Sequence, residues 1–156
     1  MISIPVDFLR QVEIAAKAAY PRECCGLFAG IHNGDGTLAV TRMRTSPNRA
    51  DENLKDRFEI DPKVRFDLMR DIGEFDRLDR IDNDGDRNAS CERIVGHYHS
   101  HPDHPAKPSK FDLKMAFEPD LFWLIVAVTK GLATETTIHR LDQSHQKFEQ
   151  IAFTAV

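Results

Sequence analysis

The sequence predicts an α/β fold in which helices pack on a mixed, mostly antiparallel sheet. Three patterns carry this prediction: an amphipathic segment near the start, a Gly-rich turn between two strand-like segments, and the nearly continuous apolar run Phe122–Thr129. The chain has 156 residues, 41% of them hydrophobic, which suffices for one core. We therefore expect a single domain over residues 1–156.

The first half of the chain alternates helical and strand-like patterns. Apolar residues recur at helical spacing from residue 6 to 19, and Pro21 ends that helix. The turn Asn33-Gly34-Asp35-Gly36 joins two strands as a hairpin. In chain order, we predict a helix over 6–19, strands over 23–30 and 37–43, a loop over 45–56, a short strand over 58–61 and a helix from Pro62 to about Leu78.

The second half begins with an acidic segment, 76–92. With Gly85 at the sixth position of a calcium-loop template, the first and twelfth ligand positions fall on Arg80 and Cys91, so we expect a solvated loop instead. After it, we predict a strand over 92–99, a helix over 109–117, and strands over 122–129, 134–141 and 147–153.

Charge and cysteine content narrow the class of protein. A formal net charge of -4 and a pI near 6.0 give no basic footprint for nucleic acid or for a membrane surface. No signal-peptide pattern opens the chain, and the apolar run over 121–128 is too short to span a bilayer. Three cysteines without framework spacing favour reduced thiols. We therefore expect a cytoplasmic protein with no nucleic acid or membrane partner.

The stretch His99-Ser100-His101-Pro102 carries the strongest functional signal. Alternate side chains of a strand share a face, so His99 and His101 point the same way. Ser109 is a plausible N-cap of the next helix, and Asp112 lies three residues further on, where the helix start can return its carboxylate toward the histidines. Two imidazoles and one carboxylate are the ligand count of a catalytic zinc with one open position.

A water activated by zinc needs a base, and Glu23 is the candidate. It opens an apolar segment that we predict to be a strand. The sequence alone does not bring Glu23 near His99 and His101. A rival chemistry would use Cys24 or Cys25 as a nucleophile with a histidine base, but no local feature indicates a lowered thiol pKa.

The set Glu23, His99-Ser100-His101-Pro102 and Ser109-x-x-Asp112 resembles the JAMM (MPN+) zinc metallopeptidases of the short, single-domain bacterial type. The resemblance implies a cytidine-deaminase-like fold, zinc bound by His99, His101 and Asp112, Glu23 as the base for the water, and Ser109 as a stabiliser of the tetrahedral intermediate. It also extends to Glu23-Cys24-Cys25-Gly26-Leu27 and to the segment from Arg57 to Pro62.

The remaining histidines leave alternatives open. His97 shares the face of His99, where it would either support the ligands or donate to a carbonyl in the core. His104 would either line a substrate entrance or be a solvated loop residue. We expect His32, His139 and His145 at the surface, because turn or polar residues surround them.

The resemblance implies a substrate class. Related single-domain bacterial enzymes trim residues after the Gly-Gly end of ubiquitin-like sulfur-carrier proteins, so we expect such a carrier, or another peptide tail, as the partner. The loop over 45–56 corresponds to an insertion that holds the substrate tail in related deubiquitinases, although it can equally be a plain connection. Alternative substrates are ubiquitin-like isopeptide bonds and phage or cell-wall peptides. The alternative to an enzyme is a noncatalytic MPN scaffold, although the known scaffolds lack motif residues that this chain retains.

Overall fold

The computed structural model describes residues 1–75 and 91–156. The elements are, in chain order, β1 (Ile2–Ile4), α1 (Val6–Ala19), β2 (Cys25–His32), β3 (Leu38–Ser46), α2 (Pro62–Asp71), β4 (Arg93–Pro102), α3 (Lys110–Met115), β5 (Phe122–Thr129), β6 (Leu132–Leu141), β7 (Phe148–Ile151) and β8 (Phe153–Ala155).

One eight-stranded sheet organises the fold, with the strand order β7-β6-β5-β4-β2-β3-β1-β8. The pairs β4–β5, β1–β3 and β1–β8 are parallel and the others are antiparallel. Only Ala152 separates β7 from β8, although these strands lie at opposite ends of the order, so the sheet curls until its two ends meet. The prediction of a mixed, mostly antiparallel sheet with helices is confirmed.

The helix α1 covers one face of the sheet. Its Val12 and Ala16 are fully buried in a cluster that includes Phe28, Tyr98 and Leu124 from three adjacent strands. Full burial of a side chain such as Val12, Phe28 or Leu124 contributes roughly 1.5–3 kcal/mol. The predicted bounds of α1 and of β5 agree with the structure.

The opposite face of the sheet carries α2 and the histidines. Leu68 of α2 is fully buried against Leu27 and Ile94. Register places Leu27 beside His97 and Cys25 beside His99, so these four side chains share that face. The helix begins as predicted, with Pro62 in its first turn and Asp61 as N-cap accepting from the backbone N–H of Lys63 (2.9 Å).

Apart from shifts of up to three residues at the ends of other elements, three predicted elements differ from the structure. The short strand over 58–61 is wrong: Ile60 makes only an isolated bridge to Asn48. The helix α2 ends at Asp71 rather than near Leu78, because Gly73 follows with a positive φ of 66°. The single strand over 147–153 divides at Ala152 into β7 and β8, which pair with β6 and β1 respectively.

The acidic segment predicted over 76–92 lies mostly outside the described residues. Its residues 76–90, which include the calcium-loop positions tested above, lie outside the described residues. Among the described helices, none has the length and apolar character needed to cross a membrane.

Candidate metal centre

The central strand β4 presents His99 and His101 on one face. β4 lies between β2 and β5, and its register sets His99 beside Cys25 and Ile125. The two imidazoles are 0% and 6% exposed, and their Nε2 atoms are 3.0 Å apart. The alternation expected from the sequence therefore brings both rings to one point, with the same nitrogen of each ring turned toward the other.

The start of α3 brings Asp112 to the same point. Ser109 is the N-cap, and its Oγ accepts from the backbone N–H of Asp112 (3.0 Å) while the backbone N–H of Ser109 donates to Asp112 Oδ2 (2.7 Å). This capping box fixes the carboxylate. Asp112 Oδ1 lies 3.5 Å from His99 Nε2, and Oδ2 lies 3.3 Å from His101 Nε2.

These three side chains fit a zinc ion. One ligand atom from each of His99, His101 and Asp112 lies within 4.8 Å of the other two, and all three residues are buried. Imidazole nitrogen and carboxylate oxygen are donors that zinc takes, and three protein ligands leave a fourth position open.

Hydrogen bonding fixes which nitrogen of His101 is available. Its Nδ1 lies 2.8 Å from the carbonyl oxygen of Pro105. Because a carbonyl only accepts, Nδ1 carries the proton of the neutral ring, and Nε2 keeps its lone pair toward His99 and Asp112. A backbone partner on the outer nitrogen is the usual way in which a protein orients a ligating histidine.

The ionisation states suit the same role. Burial alone would raise the pKa of Asp112, but its polar contacts with the His101 and His99 rings and with the backbone N–H of Ser109 outweigh burial and hold the pKa well below its usual range. Burial lowers the pKa of His99, so its imidazole is neutral. A charged carboxylate beside neutral imidazoles is the protonation state that binds a metal cation.

The structure also brings Glu23 to this cluster. The antiparallel register that pairs Cys25 with His99 continues outward, where Ser100 Oγ accepts from the backbone N–H of Cys24 (2.8 Å). Glu23 follows next along the chain, close enough to Asp112 for the two charges to interact. Glu23 is 4% exposed, and its Oε2 has no hydrogen-bond partner within residues 1–75 and 91–156. Burial, then the charges of Asp112 and Asp56, raise its pKa to about 9.

Asn48 anchors the loop over 47–61 beside Glu23, a role that the sequence analysis missed. Its Nδ2 donates to the carbonyl oxygens of Glu23 (3.0 Å) and Arg57 (2.9 Å), and its Oδ1 accepts from the backbone N–H of Glu59 (3.0 Å). An asparagine in a polar loop gives no sequence signal for this position. The loop is thereby fixed at one rim of the cluster.

Aromatic rings cover the cluster from above β4. The Phe58 ring stacks on His99 with 4.4 Å between centroids, and His97 packs against Trp123 at 4.2 Å. His97 Nδ1 is buried without a hydrogen-bond partner in the described part of the chain. Burial, and then the neighbouring His99, lower the pKa of His97 to about 3, so its imidazole is neutral. Within the described residues, its Nδ1 donates to no carbonyl oxygen, so His97 is a core histidine without that hydrogen bond.

Two further sequence expectations can be compared with the structure. His104 is exposed in the loop after β4. The surface position expected for His139 is wrong: it is 4% exposed, because β6 pairs it beside Trp123, and its Nε2 lies 2.9 Å from Thr137 Oγ1.

The buried cysteines do not support the rival nucleophile chemistry. Cys24 and Cys25 are free thiols. Burial raises the pKa of Cys24 to about 11 and that of Cys25 to about 12. Both thiols are therefore neutral at physiological pH and poor nucleophiles.

Comparison with known proteins agrees with this geometry. The model of a family described as prokaryotic homologs of the JAB domain matches residues 5–142. No curated protein sequence matches the chain.

Several solved structures share the fold. The solution structure of a protein from Desulfitobacterium hafniense is 23% identical with a TM-score of 0.75, covering 100% of this chain and 93% of that one. A protein from Salinibacter ruber is 29% identical with a TM-score of 0.69, covering 100% and 92%. A JAB1/MPN domain protein from Archaeoglobus fulgidus is 18% identical with a TM-score of 0.54, covering 99% and 97%.

Proposed function

The chain belongs to the family of prokaryotic homologs of the JAB domain, and from this membership we propose that it is a zinc-dependent peptidase. Its reaction is hydrolysis of the amide bond after the C-terminal Gly-Gly tail of a ubiquitin-like sulfur-carrier protein. The observation that carries the proposal is the convergence of His99, His101 and Asp112 with Glu23 buried beside them.

His99 Nε2, His101 Nε2 and the carboxylate of Asp112 would hold the ion. Zinc supplies Lewis-acid chemistry when bound: it lowers the pKa of water and polarises a carbonyl group. Glu23 accepts the proton of the attacking water and returns it to the amine that leaves. The pKa of Glu23 falls when a cation occupies the cluster, because a nearby positive charge favours the ionised carboxylate.

Ser109 is placed to stabilise developing negative charge. Its Oγ accepts from the backbone N–H of Asp112, which leaves the hydroxyl proton for another acceptor. Donated to the carbonyl oxygen of the scissile bond, that proton offsets the charge of the tetrahedral intermediate. The same residue thus holds Asp112 through its backbone and contacts the substrate through its side chain.

The loop over 47–61 is where we place the carrier tail. Asn48 fixes this loop against Glu23, and the Arg57 guanidinium reaches across to lie 4.3 Å over the Phe111 ring of α3. A Gly-Gly tail has no side chains, and in this proposal it lies along the loop in extended form. The free thiols of Cys24 and Cys25 agree with action in the reducing cytoplasm.

The test pairs metal analysis with cleavage. Purified protein is expected to carry one equivalent of zinc and to cleave a ubiquitin-like carrier that bears a short C-terminal extension after Gly-Gly, and Glu23→Gln is expected to keep the zinc and lose the cleavage. If the protein cleaves only an isopeptide-linked carrier or only a cell-wall peptide, that compound replaces the extended carrier as the assigned substrate. Zinc-free, inactive protein would return the chain to a noncatalytic scaffold.

A further inference from the structure

A cavity lies on the β6–β7 side of the cluster, away from the loop over 47–61. It measures about 380 Å³, and residues of α3, β6 and β7 and of the loop before α3 form its walls. Ser109 lies on its rim, so the cavity begins at the proposed oxyanion position. A volume near the lower end of the ~300–1,000 Å³ typical of ligand pockets suits a small group rather than a folded protein.

Positive charge distinguishes this cavity. Three of the eight lysines in the chain line it, Lys107, Lys110 and Lys147, and none of the described lining residues is acidic. This bias opposes the net charge of -4 of the whole chain. Lys147 lies 3.7 Å from Glu149, both of them largely exposed, and no acidic partner of Lys107 or Lys110 occurs in the described structure.

A larger cavity elsewhere in the described structure shows that this excess of positive charge is not general. About 530 Å³ in volume, it lies at the far end of β4, next to Arg93 and Ile94, roughly 20 Å along the strand from His99. Three arginines and three acidic residues line it, and Arg65 forms an ion pair with Glu118 there. Charges of both signs neutralise each other in that cavity, whereas the cavity beside Ser109 carries one sign only.

The floor of the lysine-lined cavity is built from packed side chains. His139 is buried beneath it, and Phe148 and Leu113 supply apolar walls. The carbonyl oxygen of Ala106 accepts from Thr137 Oγ1 and lies 3.3 Å from His139 Nε2, one residue after the carbonyl that orients His101. The cavity wall and the orientation of His101 therefore depend on the same short loop.

We propose that this cavity binds the leaving group of the reaction and selects one that ends in a free carboxylate, one or two residues after the scissile bond. The proposal rests on the peptidase function proposed above. With the tail along the loop over 47–61 and the scissile carbonyl at Ser109, the leaving segment enters the cavity on the β6–β7 side. Two residues span at most about 7 Å, so their carboxylate stays in the cavity that Ser109 and the three lysines line.

This preference separates trimming from isopeptide cleavage. The leaving amine of an isopeptide belongs to a lysine side chain of a folded protein, which has no free carboxylate at that distance. A short extension of the carrier ends in a free C-terminal carboxylate, and this carboxylate meets Lys107, Lys110 and Lys147. Phe148 and Leu113 add a preference for an apolar final side chain.

Binding of a product-like dipeptide tests the cavity without requiring turnover. Ala-Phe and its C-terminal amide are titrated into the zinc-loaded protein while the NMR signals of Phe148 and His139 are followed. We expect the free acid to bind about tenfold or more tightly than the amide, because a hydrogen bond to a charged group is lost with the amide. Equal affinities, or shifts confined to other residues, would overturn the proposal.

Variants of exposed lysines locate the effect. Lys147→Glu and the gentler Lys147→Gln are expected to abolish the preference for the acid, whereas Lys17→Glu, the same charge change on α1 across the sheet, leaves it intact. A preference that survives both Lys147 variants and Lys107→Gln would contradict the assignment.

Carrier substrates then separate the two proposals. A carrier with Gly-Gly-Ala-Phe is expected to be cleaved about tenfold or more efficiently as the acid than as the amide. Equal cleavage of both overturns the cavity's role. Selective dipeptide binding without cleavage of either carrier supports the cavity and overturns the peptidase function.

Discussion

The start of β2 and the start of α3 each deliver a buried carboxylate to one cluster, and the two carboxylates differ in their surroundings. Glu23 and Asp112 are equally buried, each 4% exposed. The backbone N–H of Ser109 and two imidazoles surround Asp112, whereas Glu23 Oε2 has no partner among the residues that the structure describes. Their pKa values accordingly move in opposite directions. This difference is why we propose Asp112 as a ligand and Glu23 as the base.

The largest effect is expected from removing the satisfied carboxylate. Asp112→Ala deletes one of three ligands, so zinc affinity is expected to fall more than a hundredfold and cleavage to be lost with it. Zinc content after dialysis measures this directly. Asp120→Ala, an exposed acidic residue outside the cluster, is the control. Full zinc content in Asp112→Ala would contradict the assignment of Asp112 as a zinc ligand.

A smaller effect is expected at the N-cap that holds Asp112. Ser109→Ala keeps the backbone N–H that contacts the carboxylate but removes the hydroxyl, so zinc stays while kcat falls about a hundredfold or more. Loss of the cap also lowers the free energy of unfolding by about 1 kcal/mol. Ser109→Thr is expected to retain the cap and much of the rate. Unchanged kcat in Ser109→Ala would remove the residue from the oxyanion role.

The unsatisfied carboxylate has a cost in stability that can be measured without zinc. The pKa of Glu23 in the folded chain, about 9, exceeds its value near 4.5 when unfolded, so the folded state binds the extra proton between these values. The free energy of unfolding therefore falls as pH rises through this window. Metal-free Glu23→Gln escapes the loss and is expected to be more stable than the parent at pH 8, by a few kcal/mol.

Denaturant unfolding of both proteins at pH 5 and pH 8 provides the measurement. The stability difference is expected to grow with pH. A difference that is constant between the two values, or that shrinks toward pH 8, would show that Glu23 is already satisfied in the folded chain.

The smallest effect is expected from removing the charge of Asp56, which acts on the pKa of Glu23. This exposed residue is the third cause of the raised pKa of Glu23, after burial and Asp112. Asp56→Asn is expected to lower the pKa of Glu23 slightly in the metal-free protein, because solvent screens an exposed charge. Carbon-13 NMR titration of the Glu23 carboxyl measures it, with Asp51→Asn as the matched control. A rise in pKa would contradict the assigned sign.

The motif residues could be predicted to converge because local rules suffice for them. Strand alternation places His99 beside His101, and a capping box places Asp112 next to Ser109. Their roles as ligands and catalytic groups stay predictions until they are measured. For Glu23, the residues alone gave only a candidate by type, and the family resemblance supplied its role, because its position depends on the register of β2 against β4, which spans some 76 residues of chain.

Features that depend on contacts between residues far apart in the sequence could not be predicted from local sequence patterns. His139 lies in a polar stretch of the sequence but is buried, with Trp123 of β5 beside it and the Ala106 carbonyl near its ring. Asn48 reads as a loop residue until its amide is seen to contact Glu23 and Arg57. The division of 147–153 at Ala152 follows from closure of the sheet, because β8 pairs with β1 from the opposite end of the chain.

The most direct test of the account compares zinc content and cleavage in Glu23→Gln with those in the unaltered protein, on the same carrier with an extension after Gly-Gly. Removal of the base without removal of a ligand predicts one equivalent of zinc in both proteins and a loss of about 10²–10⁴ in kcat for the variant. Turnover unchanged by Glu23→Gln would contradict the account, because a base is then supplied from elsewhere. Loss of zinc from Glu23→Gln would contradict it equally, since Glu23 would be a ligand rather than the base.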